Sequence, residues 1–105
     1  MQRVRLVVVG IVQGVGFRPY IHRLVTEFNL KGWIRNESYG VELELEGTSQ
    51  AIEGFVARLK AQPPRLAVIE ALRVESCGAL KNYAGFTIRA SEKRGENNTL
   101  VIAPF

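Results

Sequence analysis

Cysteine and histidine each occur only once in this chain of 105 residues, as Cys77 and His22. A single cysteine excludes an internal disulfide, which fits a reducing compartment such as the cytoplasm. The sequence also shows no cluster of metal ligands. Nothing near Cys77 resembles an activating base, so a buried structural thiol is favoured over a catalytic nucleophile. We therefore expect neither a metal nor any other cofactor.

Long hydrophobic runs are missing as well. Nothing approaches the roughly 18 consecutive apolar residues of a membrane helix. Arg3 and Arg5 precede the apolar residues 6–9, as in a signal peptide, but Gly10 and Gln13 interrupt the run and no small-residue cleavage site follows. Residues 6–9 fit a buried central strand better. We therefore expect a cytoplasmic protein with no membrane partner.

The charge balance favours an anionic ligand. Lys and Arg number 14 against 10 Asp and Glu, which gives a net charge of +4 and a pI near 9.6. Such a balance suits phosphates, acidic metabolites or nucleic acid, although a mixed charged surface explains the same counts. The charges are scattered, without blocks of one sign. With 47% hydrophobic residues, the chain has the composition of an ordinary soluble domain.

Hydrophobic periodicity predicts the order β-α-β-β-α-β followed by a short fifth strand. The predicted strands cover residues 3–12, 32–36, 41–46, 68–75 and 86–90. The predicted helices cover about residues 19–28 and 49–61, where Asn29 ends the first in a left-handed conformation and Pro63 stops the second. This order is typical of an α+β ferredoxin-like sandwich, an antiparallel sheet with two helices on one face.

The third predicted strand alternates strictly between apolar and acidic residues. Its acidic row is Glu42, Glu44 and Glu46. We expect this row to form a solvated face that also discourages aggregation at the edge of the sheet.

Two glycines mark the turn between the first strand and the first helix, in the segment Gly14, Val15, Gly16, Phe17, Arg18. Glycine lets the backbone curl without Cβ clashes, so successive N–H groups can converge on one point. The helix start adds partial positive charge, and Arg18 adds a planar fork that matches two phosphate oxygens. We expect these five residues to hold a phosphate group. The alternative is an ordinary tight turn.

The string at residues 10–18, Gly-Ile-Val-Gln-Gly-Val-Gly-Phe-Arg, resembles the signature of the acylphosphatase family. A second match lies at residues 32–36, and the likeness extends from about residue 4 to residue 89. Pro19 and the length of the tail resemble, more narrowly, the amino-terminal domain of the hydrogenase maturation carbamoyltransferases. The resemblance implies an acylphosphatase-like domain at residues 1–91. Residues 92–105 are then a tail, or the start of a linker to other domains of a larger maturation protein.

The resemblance implies hydrolysis of the phosphoanhydride bond of acyl or carbamoyl phosphate, with inorganic phosphate as product. Arg18 matches the arginine that binds the substrate phosphate, and Asn36 matches the asparagine that orients the attacking water. The carboxylate leaving group needs no strong general acid, so positioning and charge stabilisation suffice. A neutral amide at position 36 holds water without repelling the phosphate. Taken alone, Asn36 is better explained as a hairpin-turn residue; paired with the loop motif, the catalytic role is favoured.

Two further readings of the whole domain stay open: a free-standing acylphosphatase, and a non-catalytic docking domain with a vestigial phosphate site. RNA binding is disfavoured because the first and third strands lack stacking aromatics, so we expect no nucleic-acid partner. Among single residues, we expect His22 on the exposed face of the first helix. We expect Trp33 and Arg35 on the sheet face opposite Asn36, with Trp33 in a packing role. For Gln13, the sequence favours neither a position lining the loop nor one away from it.

Overall fold

The sheet has five strands, and both helices pack on one of its faces. The structure is a computed structural model that describes residues 1–14 and 16–90. Its elements, in chain order, are β1 (Gln2–Ile11), α1 (Phe17–Glu27), β2 (Lys31–Glu37), β3 (Gly40–Gly47), α2 (Ser49–Ala61), β4 (Val68–Ser76) and β5 (Phe86–Arg89). The strand order across the sheet is β4-β1-β3-β2-β5. The predicted ferredoxin-like β-α-β-β-α-β order with a short fifth strand is confirmed.

The pairing is antiparallel except at one edge, where β5 runs parallel to β2. The sheet is therefore mixed rather than wholly antiparallel. The predicted tail at residues 92–105 lies outside the described residues.

The hydrophobic core lies between the sheet and the two helices. Every second residue of β1 points into it, and the partners of those residues on β3 do the same. Apolar residues of both helices close the core from the other side: Phe17, Ile21, Leu24 and Val25 from α1, and Ile52, Phe55 and Leu59 from α2. Burial of these side chains is the main favourable contribution to folding.

The helix ends follow local chemistry that the sequence already indicated. Asn29 has φ 56°, so the left-handed end of α1 is confirmed. The bounds of α2 match the predicted residues 49–61, and its N-cap Thr48 accepts a hydrogen bond from the backbone N–H of Ala51 at 3.1 Å. The start of α1 lies two residues before Pro19, which places that proline within the first helical turn.

The prediction for the glutamate row is wrong. Glu42, Glu44 and Glu46 are only 8%, 4% and 5% exposed, and β3 lies inside the sheet rather than at its edge. The face is covered by residues 77–85, which we call the covering segment. Its backbone carbonyls at Cys77 and Ala79 accept hydrogen bonds from the Arg3 guanidinium. Strand alternation indicated a polar face, but this face is covered by the chain itself.

Arginines neutralise two of these three buried glutamates, Glu42 and Glu44. Arg3 pairs with Glu44 at 2.9 Å, and Arg5 lies between Glu42 and Glu44 at 3.0 and 3.6 Å. Arg35 binds Glu42 at 2.8 Å. Buried carboxylates are tolerated only where charge and hydrogen bonds compensate their lost hydration, and the arginines supply both.

Candidate active site

The loop between β1 and α1 contains two glycines in a conformation that other residues rarely adopt. Gly14 and Gly16 have φ values of 75° and 78°, in the left-handed region. A Cβ at either position would meet no atom within 4 Å, so glycine is needed there for its conformation and not for space. Gly16 is also the N-cap of α1, no side chain in the described part of the chain caps that end, and the first turn has no acidic residue. The positive end of α1 is therefore open to an anion.

The predicted phosphate-binding residues differ in exposure. Gly14, Gly16 and Arg18 are exposed, whereas the Phe17 side chain is 1% exposed and packs 6.1 Å from the Tyr20 ring. Phe17 can therefore offer a ligand its backbone N–H only. Val15 lies outside the described residues.

Arg18 is the second residue of α1. It forms no hydrogen bond or ion pair with another described residue, so its guanidinium is available to a ligand. A guanidinium without an internal partner at the positive end of a helix suits a bidentate phosphate contact.

Asn36 lies near the end of β2, half-buried. Its partner across the β2–β3 ladder is Val41, whose partner on β1 is Val8. Directly opposed residues share a face, and Val8 and Val41 are both fully buried beneath the helices. Asn36 therefore lies on the same face as α1, about two strand spacings, or roughly 10 Å, from Val8.

Trp33 and Arg35 point to the other face, as predicted. Their partners on β3 are Glu44 and Glu42 of the buried acidic row. Trp33 is 3% exposed, and its indole N–H donates to the Tyr83 hydroxyl at 3.1 Å. This burial confirms a packing role for Trp33. His22 is exposed on α1, also as predicted, and its ring lies 6.3 Å from that of Phe86.

An open cleft of about 700 Å³ occupies the end of the sheet nearest the loop. Residues 9–13, residues 36–40 and Glu70 line it. The cleft therefore brings Asn36 together with the start of the loop. Arg18 is not among its lining residues.

Gln13 connects the two sides of this cleft. Its side-chain N–H₂ group donates to the carbonyls of Glu37 and Gly40, both at 2.7 Å. The loop is thereby tied to the turn between β2 and β3. Gly40 allows the close approach of β1 in this region, because a Cβ there would lie 2.1 Å from the Val8 carbonyl oxygen.

Two other residues of the cleft were not singled out from the sequence. Burial, and then the charges of Glu42 and Glu37, raise the pKa of Tyr39 to about 12, so its phenol is neutral at physiological pH. Glu70 is the extra residue of a β-bulge, since Val9 and Gly10 pair with Ala71 and Ile69 and pass over it. Gly10 was the available sequence signal, because a glycine inside a strand often marks a bulge, and a Cβ there would lie 2.0 Å from the Val68 carbonyl oxygen.

Among residues 1–14 and 16–90, no three His, Cys, Asp or Glu side chains are grouped to hold a metal ion. Neither helix in this part of the chain is long and apolar enough to span a membrane.

Known proteins are similar to this chain in sequence and in fold. A carbamoyltransferase, HypF2 of Cupriavidus necator, is 41% identical over 91 residues, which are 87% of this chain and 11% of that protein. An acylphosphatase of Caldivirga maquilingensis is 37% identical over 89 residues, 83% of this chain and 93% of that protein. The chain thus spans about a tenth of the carbamoyltransferases that it matches, but nearly all of the acylphosphatase.

Solved structures give the same two groups. A full-length HypF in a phosphate- and nucleotide-bound form superposes with a TM-score of 0.83 at 39% identity, covering 90% of this chain and 12% of that one. The acylphosphatase of Bacillus subtilis superposes with a TM-score of 0.79 at 31% identity, covering 85% of this chain and 99% of that one. The sequence model of the family Acylphosphatase matches residues 4–88. The chain therefore belongs to the acylphosphatase family.

Proposed function

We propose that this domain hydrolyses the phosphoanhydride bond of acyl phosphates, releasing a carboxylate and inorganic phosphate. The observation that carries the proposal is the start of α1, where no side chain of the described residues caps the helix and none of them pairs with Arg18, together with Asn36 on the same face of the sheet. In this proposal the backbone N–H groups of residues 14–18 and the Arg18 guanidinium hold the phosphoryl oxygens. Asn36 orients the attacking water.

The chemistry requires little else from the protein. Water attacks phosphorus while the bond to the acyl oxygen breaks, and the electron pair leaves with the carboxylate. A carboxylate leaves readily, so the main needs are alignment of the water and stabilisation of charge on the phosphoryl oxygens. Fixed N–H donors and a guanidinium supply that stabilisation. The Asn36 amide can accept a hydrogen bond from the water without adding negative charge near the phosphate.

We further propose carbamoyl phosphate as the natural substrate, with the domain acting within a larger carbamoyltransferase. The likeness to HypF2 and to full-length HypF supports this choice. The two alternatives are a free-standing acylphosphatase and a docking domain whose phosphate site is vestigial. They predict, respectively, no preference for carbamoyl phosphate and no turnover.

Steady-state hydrolysis of benzoyl, acetyl and carbamoyl phosphate by the purified chain tests the proposal. We expect Arg18→Ala to lower kcat/KM by about 100-fold or more, the usual effect of removing one charge-stabilising donor. Asn36→Ala is expected to lower kcat, because the water loses its alignment.

Arg23→Ala is the matched control for Arg18→Ala, since it removes the same charge from an exposed position on the same helix. We expect it to retain wild-type activity. A wild type no faster than Arg18→Ala would contradict the hydrolase proposal. Phosphate binding that persists without turnover, and is lost in Arg18→Ala, would favour the vestigial site.

A further inference from the structure

We infer that Gln13 is a positioning residue that fixes the phosphate-binding loop relative to Asn36. The inference rests on the proposed function and adds a residue to it. Gln13 itself is outside the proposed phosphate contacts. It acts through the two backbone carbonyls that its amide holds.

The position of those carbonyls is the first argument. Glu37 and Gly40 are the last pair of the β2–β3 ladder, and the pair before them is Asn36 and Val41. The Gln13 amide uses both of its hydrogens on this last pair, at 2.7 Å each. It therefore clamps the ladder one residue away from Asn36.

The second argument is that the turn between β2 and β3 is bound to β1 even without Gln13. The Gly10 N–H already donates to the Tyr39 carbonyl at 3.0 Å, and the β1–β3 ladder extends as far as the pair of Val9 and Gly40. What the amide adds is a fixed position for the loop. Among the described loop residues, these two bonds are the only hydrogen bonds reaching outside α1 and its cap.

The third argument is the entropy that this arrangement costs. Gln13 is exposed, and ordering a glutamine side chain costs roughly 1–2 kcal/mol. Buried Val12 and Phe17 already anchor the loop at both ends. Between these anchors, the ordered amide links the loop to the strand that bears Asn36. In a reaction sensitive to misplacement of about 1 Å, that link controls the alignment of water and phosphate.

The test is a double-mutant cycle between Gln13 and Asn36. Gln13→Met keeps the length of the side chain, adds no charge and removes both donors. In the wild-type background we expect it to lower kcat about 10-fold while KM changes less than about 3-fold, because alignment rather than binding is lost. In the Asn36→Ala background we expect a further loss below about 2-fold, since no aligned water remains to be disturbed.

Tyr20→Phe is the matched control. Like Gln13→Met, this variant removes hydrogen bonding from a side chain to a backbone carbonyl, here the single bond of 2.8 Å from the Tyr20 hydroxyl to Gln62. Tyr20, however, lies outside the cleft. We expect it to leave kcat unchanged. Equal kcat losses from Gln13→Met in both backgrounds, or no loss in either, would overturn the inference.

The outcome for Gln13 stays separate from that of the proposed function. If the wild type itself proves inactive, the hydrolase proposal fails, and a crystal structure of the Gln13→Met variant decides the inference. Displacement of residues 14–18 from Asn36 by about 1 Å or more supports the positioning role. A loop in its original position overturns it.

Discussion

Replacing Glu46 with glutamine is expected to release the covering segment from the sheet. The Glu46 carboxylate is 5% exposed and accepts three backbone N–H groups of that segment. One oxygen accepts from Lys81 and from Asn82 (the latter at 3.2 Å), and the other accepts from Tyr83 at 3.0 Å. No other side chain of the described residues binds so many groups of the segment.

The expected cost follows from those bonds. A glutamine keeps one accepting oxygen but turns an N–H₂ group toward a backbone N–H, so at least one charged hydrogen bond becomes a contact between two donors. The remaining bonds lose the strength that the negative charge gave them. With hydrogen bonds to charged groups contributing about 1.5–3 kcal/mol each, Glu46→Gln should lower the free energy of unfolding by about 2–3 kcal/mol. That is a large part of the stability of a domain of this size.

Urea unfolding at neutral pH measures this loss. Circular dichroism follows the whole fold, and the fluorescence of Trp33 follows the covering segment, because the indole N–H donates to the Tyr83 hydroxyl. Glu27→Gln is the control. Glu27 is likewise a hydrogen-bonded carboxylate, paired with Arg58 at 2.9 Å, but its side chain is 53% exposed and the loss of its charge should cost much less. Equal costs for Glu46→Gln and Glu27→Gln would refute the argument.

Two more predictions concern the same sheet. Burial raises the pKa of Glu44 and Glu46, but hydrogen bonds outweigh it, from Tyr83 and Arg3 to Glu44 and from backbone N–H groups to Glu46, so both pKa values lie below 4.5. The two carboxylates therefore contribute fully to the free energy of unfolding above about pH 4.5, and this contribution is lost as the pH falls through their lower folded-state pKa values. A urea midpoint that does not change between pH 5 and pH 3 would contradict this prediction. Gly40→Ala should lower the free energy of unfolding by roughly 3 kcal/mol or more, because φ at this position is 153° and the new Cβ would lie 2.1 Å from the Val8 carbonyl oxygen. Gly16→Ala, with φ 78° and open space around it, should cost only about 1–2 kcal/mol, and equal melting temperatures for the two variants would exclude the clash.

The element order could be read from the sequence because each element carries its own period. Alternation in β3 and helical spacing in α2 give the strand and the helix directly. The pairing of β5 with β2 could not be read in this way. A four-residue strand holds too little pattern to choose a neighbour or a direction, and the parallel pairing depends on where the covering segment delivers the chain.

The glutamate row shows a second limit of periodicity. Alternation indicates which residues share a face, but it does not indicate what covers that face. The partners of Glu46 lie 35 to 37 residues further along the chain, in a segment without regular structure. No local pattern links positions so distant, so a buried, neutralised row looked like a solvated one.

Some features of the candidate site could likewise be predicted from the sequence, and others could not. The glycine spacing indicated the loop, and strand alternation indicated the face of Asn36, because both signals are local. The contacts of Gln13 are not local, since the carbonyls that it holds are 24 and 27 residues away. The place of Glu70 in the cleft depends on a shift of register between β1 and β4, and the sequence of β4 alone does not specify that shift.

The covered face of the sheet also determines the position of Asn36 on the opposite face. Asn36 has Arg35 and Glu37 as its neighbours in β2, and the Arg35 guanidinium binds Glu37 and Glu42, both at 2.8 Å. The guanidinium groups of Arg35 and Arg89 lie over the Trp33 ring, 4.8 and 4.6 Å from its centroid. These contacts hold β2 from the covered face on both sides of Asn36. Gln13 holds the end of the same strand through the Glu37 carbonyl at 2.7 Å. The backbone is therefore held on both sides of Asn36, and in the proposed function this fixes the amide that orients the water.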